Sequence, residues 1–172
     1  MADILYFVVP CYNEEAVLPE TSKRLLEKLH SLTERGLVDD KSRIMFVDDG
    51  SKDKTWEIIS SLHEKDIHFS GVKQSRNRGH QNALIAGLYT AVEHADVTIT
   101  LDADLQDDIN AVDGMIEAYQ KGADVVYGVR SRRKKDTFFK RYTAEGYYKV
   151  MKKMGVDLVF NHADYRLCPG AR

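Results

Sequence analysis

Asp102 and Asp104 stand two residues apart in the stretch LDADLQDD (101–108), directly behind the β-branched run VTIT. Residues two apart on an extended segment point to the same side, so the two carboxylates can be presented together, with Gln106 next in phase. Such oxygens suit a hard divalent cation, Mg²⁺ or Mn²⁺, which is commonly shared between one or two carboxylates and a substrate's phosphates. Taken alone, the same pair serves equally well as solvated loop acids, with Asp107 and Asp108 capping a following helix. Two further polar clusters sit behind apolar runs. VVPCYNEE (8–15) delivers Tyr12, Asn13, Glu14 and Glu15, and VDDGSKD (47–53) delivers Asp48 and Asp49 ahead of Gly50. Gly50 permits a tight turn at positive φ, and Ser51 or Asp53 can cap the next helix. A carboxylate in such a place can accept hydrogen bonds from a nucleobase N–H or from ribose hydroxyls.

The elements that must position these groups alternate. Short apolar runs of strand length occur at Ile4–Pro10, Arg43–Val47 and Val97–Leu101, with a weaker one around Phe69–Gln74 and another at Asp124–Val129. Between them lie helical patterns: Val17, Leu18, Leu25, Leu26 and Leu29; Trp56, Ile58, Ile59 and Leu62; Leu84, Ile85, Leu88 and Val92; Met115, Ile116 and Tyr119. Helical spacing between near-continuous apolar strands predicts a mostly parallel sheet covered on both faces. The three acidic clusters then meet at one edge, the carboxyl ends of the strands, where such sheets bind ligands. Like charges gathered there repel unless a cation or a donor-rich ligand lies between them. A last helical pattern runs from Phe138 to about Met154, and an irregular tail is expected after it.

Composition narrows the function classes. The chain has 172 residues, suited to one domain (1–172), with 43% hydrophobic and 30% charged residues, an ordinary globular balance. A formal net charge of −2 gives no global argument for nucleic acid, so any basic feature is local. Cys11 and Cys168 lie far apart and have no metal-ligand spacing, which points to a reduced compartment. There is no basic-then-apolar leader and no run of about 18 apolar residues, so no span of a bilayer is expected within the chain. A receiver-type phosphoacceptor module would place its acid pair after the first strand and a lysine late in the sheet. A DxD phosphatase would follow its aspartates with Thr or Val, whereas Leu105 and Gln106 follow here.

Six stretches in order, VVPCYNEE, VDDGSKD, RNRGHQNAL, LDADLQD, YGVRSRR and ADYRL, resemble glycosyltransferase family 2 of the GT-A fold. The similarity is greatest to its polyprenyl-phosphate hexosyltransferase branch, which includes dolichol-phosphate mannose synthases and undecaprenyl-phosphate glucosyltransferases. The resemblance implies an α/β fold, a Rossmann-like three-layer α/β/α arrangement with a mostly parallel central sheet. It implies that Pro10, Tyr12 and Glu14 line a nucleotide pocket, with Tyr12 near the base, and that Asp48 and Asp49 hold base or ribose. Asp102 would sit by the sugar and ribose, Ala103 would line the donor site, and Asp104 and Gln106, with Asp102, would hold Mg²⁺ or Mn²⁺ on the diphosphate. Arg76 and Gly79 would form the far wall. Arg130 would contact an acceptor phosphate, Asp164 would stand near the sugar–acceptor junction, and Arg166 would be its structural or phosphate-binding neighbour.

The implied reaction is an inverting transfer of a hexose from a nucleotide-diphosphate sugar, UDP-linked in the favoured case, to a polyprenyl phosphate. The alternatives are transfer to a saccharide acceptor in cell-wall or surface polysaccharide synthesis, or a non-catalytic nucleotide-sugar-binding module. The basic segment RSRRKKDTFFKR (130–141) sets seven cations against Asp136 and interrupts them with Phe138 and Phe139. This mixture suits lipid headgroups and a polyprenyl phosphate better than nucleic acid. The expected location is therefore the cytoplasmic face of a membrane, peripheral or integral through a part beyond Arg172, since members of the branch commonly continue into further helices. An assembly of like copies is compatible with this reading. ADYRL carries Ala163 and Tyr165 where the branch usually has glycine and phenylalanine.

Overall fold

The structure is a computed structural model that describes residues 2–104, 106–129 and 162–170. In chain order the elements are β1 (Leu5–Cys11), α1 (Leu18–Glu34), β2 (Arg43–Asp48), α2 (Thr55–Lys65), β3 (Phe69–Lys73), α3 (His80–Ala91), β4 (Val97–Thr100), α4 (Ala111–Gln120), β5 (Val126–Val129) and β6 (His162–Pro169). They build one six-stranded sheet in the order β3-β2-β1-β4-β6-β5. Strands β1 to β4 are mutually parallel, and β6 runs antiparallel to both β4 and β5.

Side-chain alternation explains why the strands read as unbroken apolar runs. Leu5, Phe7, Val9 and Cys11 of β1, with Ile44 and Phe46 of β2, enter the core beneath α1, α2 and α4. The intervening Val8, Met45 and Val47 pack on the opposite face against Ala83, Leu84 and Ala91 of α3. Both phases of each strand are thus buried, as a sheet between two helical layers requires. Gly87 lets α3 approach closely: a Cβ there would stand 2.6 Å from side-chain carbons of both Val8 and Val47.

The chain winds from β1 outward to β3 on one side and resumes with β4 on the other side of β1. That reversal opens a crevice at the carboxyl ends of β1 and β4. The tail expected to be irregular corrects to a strand over His162–Pro169, whose Tyr165 and Leu167 are buried in alternation with half-buried Arg166 and Cys168. The expected helix at 138–154 lies outside the described residues. Among the described residues, no helix is long and apolar enough to cross a membrane.

Candidate active site

The ends of β1 and β2 are laced into one unit. Asn13 takes φ 55°, a left-handed conformation that asparagine tolerates better than most residues. Its N–H donates to Ser51 Oγ at 2.9 Å, and its Oδ1 accepts the Lys52 N–H at 2.9 Å. The Glu14 N–H donates to Thr55 Oγ1 at 2.8 Å, the Glu15 N–H to Asp53 Oδ2 at 3.1 Å, and Glu15 Oε2 accepts the Lys54 N–H at 2.9 Å. Ser51 is therefore a tie to Asn13 rather than a helix cap, while Asp53 accepts both the N–H and the hydroxyl of Thr55. With Asn13 and Glu15 so engaged, the side chains of Tyr12 and Glu14 line the crevice.

The two aspartates at the end of β2 face different ways. Asp48 continues the phase of Ile44 and Phe46 and is wholly buried. Its Oδ1 accepts the Ser51 N–H at 3.0 Å, and its Oδ2 is buried without a hydrogen bond among the described residues. Asp49 turns toward the loop ahead of α3, where its two oxygens accept the Arg78 and Gly79 N–H groups at 2.7 and 2.8 Å. Gly50, at φ +69°, makes this approach feasible: a Cβ there would lie 2.5 Å from the Arg76 carbonyl carbon.

From the other side α1 holds the acidic turn after β4. The Thr21 hydroxyl donates to the Ala103 carbonyl at 2.6 Å in a buried contact between Asp102 and Asp104. His80, in the first turn of α3, brings Nε2 to 3.8 Å from Asp102 Oδ1.

These segments enclose a hollow of about 260 Å³. Of the residues expected there, it gathers Pro10, Tyr12, Glu14, Asp49, Gly79, Asp102, Ala103 and Asp104. Four more, which lie in the VVPCYNEE and RNRGHQNAL stretches but had no role assigned, join them: Cys11, Asn77, His80 and Ala83. Asp48, Arg76 and Gln106 are not on its wall. Arg76 is exposed on the loop whose backbone packs against Gly50. Gln106 donates its backbone N–H to Asp104 Oδ1 at 3.1 Å and lines a neighbouring hollow beside Arg24 and Lys28 of α1. Arg130 and the rest of 130–141 lie outside the described residues. β6 carries the backbone of Asp164 toward the end of β4, because Arg166 pairs with Thr100 and the strands are antiparallel.

Negative charge dominates this hollow. The Glu14 carboxyl is pushed up by its partial burial, then by the charges of Asp104, Asp53 and Asp102. The Cys11 thiol is pushed up strongly, chiefly by burial and then by Glu14 and Asp48, so it is a packing group rather than a nucleophile. Acids held this close fit a divalent cation. Among the described residues they do not form a three-donor cage. Asp102 and Asp104 suit a cation that takes one or two protein oxygens and completes its shell with diphosphate and water, as Mg²⁺ commonly does.

The profile for "Glycosyl transferase family 2" matches residues 6–169. The chain belongs to glycosyl transferase family 2. It is 49% identical over 164 residues to the uncharacterized glycosyltransferase YkoT of Bacillus subtilis, covering 95% of this chain and 49% of that one. It is 39% identical over 163 residues to the bactoprenol glucosyl transferase of Shigella phage SfV, covering 93% and 50%. This family 2 chain therefore spans about half the length of the curated relatives it matches. Among solved structures it superposes on glucosyl-3-phosphoglycerate synthase from Mycobacterium tuberculosis with a TM-score of 0.62 at 19% identity, covering 97% of this chain and 56% of that one. That structure holds Mn²⁺, UDP and phosphoglyceric acid. At such identity the likeness establishes the fold, the GT-A arrangement of this family.

Proposed function

We propose that this chain is the donor-binding, catalytic part of an inverting, metal-dependent transferase that moves a hexose from a UDP-sugar to a polyprenyl phosphate. The observation that carries the reading is the meeting of Tyr12, Glu14, Asp49, Asp102 and Asp104 around one hollow at the sheet's switch point. The 39% identity to a bactoprenol glucosyl transferase supports the acceptor class, and the UDP and Mn²⁺ in a fold relative support the donor.

In this reading the nucleotide enters between the β1 end and the loop that Asp49 fixes, with Tyr12 against the base. Asp102 and Asp104 would hold the cation that accompanies the donor diphosphate. A bound Mg²⁺ or Mn²⁺ would offset the charge that develops on the leaving diphosphate. An oxygen of the acceptor phosphate bonds to the anomeric carbon from the face opposite the diphosphate, and the carbon–diphosphate oxygen bond breaks, inverting the centre. A phosphate monoester is largely ionised near neutral pH, so positioning outweighs proton abstraction. Arg130 and the basic segment 130–141 are assigned to the acceptor phosphate and to an anionic membrane surface on the cytoplasmic side. Asp164 is assigned to the sugar–acceptor junction as base or orienter.

The test is a transfer assay with the full-length protein, UDP-linked hexoses, Mn²⁺ and a polyprenyl phosphate in detergent. The reading expects a glycosyl phosphopolyprenol of inverted anomeric configuration, lost with Asp104→Ala. Transfer to a saccharide instead, or product of retained configuration, would overturn it.

A further inference from the structure

At the edge of the sheet opposite the nucleotide hollow, three side chains from two segments come together. His30 lies on α1, Asp66 ends α2, and His68 precedes β3. Asp66 leaves the helix in an extended conformation, and its Oδ1 accepts the His68 N–H at 2.8 Å and meets His68 Nδ1 at 2.7 Å. The His68 carbonyl accepts the Ile44 N–H at 2.7 Å, which anchors the turn to β2. The His30 ring stands edge-on to the His68 ring, with centroids 5.2 Å apart at 79°. One donor atom from each of the three lies within 4.8 Å of the other two.

A turn motif alone accounts for Asp66 and His68, because an aspartate commonly accepts the N–H two residues on. It gives no reason for the imidazole of His30 to be delivered to the same point from α1. We propose that His30, Asp66 and His68 form a binding site for a borderline divalent cation of the Zn²⁺ type, distinct from the hard-cation position at Asp102 and Asp104. Two imidazoles and one carboxylate select Zn²⁺, Co²⁺ or Ni²⁺ over Mg²⁺, whose preference is for oxygen. Tetrahedral donors around Zn²⁺ stand about 3.3 Å apart, so the Asp66–His68 pair, in hydrogen-bond contact at 2.7 Å, parts slightly to share an ion. His30 is exposed on α1, which leaves its side chain room to turn toward that pair. Three protein donors leave a fourth position for water. The site lies far from the reacting groups, and its effect is to tie α1 to the α2–β3 turn.

Untagged, chelator-stripped full-length protein carrying Asp102→Ala and Asp104→Ala removes the hollow's proposed cation-holding pair as a competitor. Calorimetric titration with Zn²⁺ alone is expected to show one ion per chain. Thermal unfolding at Zn²⁺ a hundredfold above Kd is expected to shift up by about 5–10 °C. His30→Gln and His68→Gln, added singly, should each weaken binding by about tenfold or more. Because His30 is exposed, His30→Gln should keep the parent circular dichroism spectrum. Co²⁺ should give visible absorption bands in the parent and lose them in that variant. Zn²⁺ affinity unchanged by both histidine substitutions, or no saturable uptake by the parent, would overturn the site.

Discussion

The Thr21 hydroxyl donates at 2.6 Å to the Ala103 carbonyl, so helix α1 grips the acidic turn midway between Asp102 and Asp104. Both residues are buried, at 2% and 4% exposure, and no water can replace the donor cheaply. Thr21→Val keeps the shape and strands the carbonyl, an expected loss of about 1–3 kcal/mol in thermal or denaturant unfolding. Thr21→Ser keeps the hydroxyl and should lose less. If the turn is held as described, Thr21→Val also weakens metal-dependent nucleotide binding, measured by calorimetry, more than Thr21→Ser does.

Two glycines at nearly the same φ separate strain from collision. Gly36 at φ +67° has nothing within 4 Å of a built Cβ, whereas Gly50 at φ +69° would drive one into the Arg76 backbone at 2.5 Å. Gly36→Ala should cost about 1–2 kcal/mol, the conformational term alone. Gly50→Ala adds a backbone displacement and should cost about 3 kcal/mol or more, with loss of the Asp49 contacts to the α3 loop. Equal destabilisation of the two variants in denaturant melts would refute this division.

Asp113, which joins α4 to α1, is one of the groups that should make the fold sensitive to acid. Burial raises its carboxyl, but the hydrogen bonds and charges of Lys28 and Arg35 outweigh this and hold it below the ordinary carboxylate range. The Lys28 Nζ contact is 2.7 Å. A depressed folded pKa contributes stability that is present above the unfolded value and is lost as pH falls through the folded one. Asp113→Asn should therefore cost about 1–2 kcal/mol at pH 7. The gap to the parent should shrink as unfolding is measured from pH 5 down toward pH 2.

Glu14 has the opposite sign. Burial and its acidic neighbours raise its carboxyl, so its contribution is most favourable at low pH and is lost as pH rises through the ordinary and then the raised value. Glu14→Gln should make the metal-free protein more stable at neutral pH while weakening its hold on cation and nucleotide. Paired melts at pH 4 and pH 7, without divalent ions, should show the gain at pH 7 only.

Much of this arrangement was legible in the residues, and the failures have physical causes. The parallel strands announced themselves because helices bury both faces of β1 and β2. The strand at His162–Pro169 did not, because its buried members are only Tyr165 and Leu167 amid polar neighbours. Asp48 and Asp49 were expected to act together, yet consecutive residues leaving a strand point apart, and only Asp49 reaches the hollow. Gln106 was placed in phase with Asp102 and Asp104 on an extended segment. The chain turns at Ala103–Asp104 instead, so that phase is lost. His80 and Asn77 carried no spacing signal, since the loop that Asp49 organises brings them in from across the sheet.

The central claim is that Asp104 helps hold a cation through which the hollow binds a nucleotide diphosphate. Calorimetric titration of UDP into the protein, with Mn²⁺ and then with excess chelator, tests it most directly. Affinity should fall by about tenfold or more without the ion, a loss of at least about 1.4 kcal/mol, and Asp104→Ala should bind equally weakly in both conditions. UDP affinity that is the same with and without Mn²⁺, or unchanged by Asp104→Ala, would contradict the account.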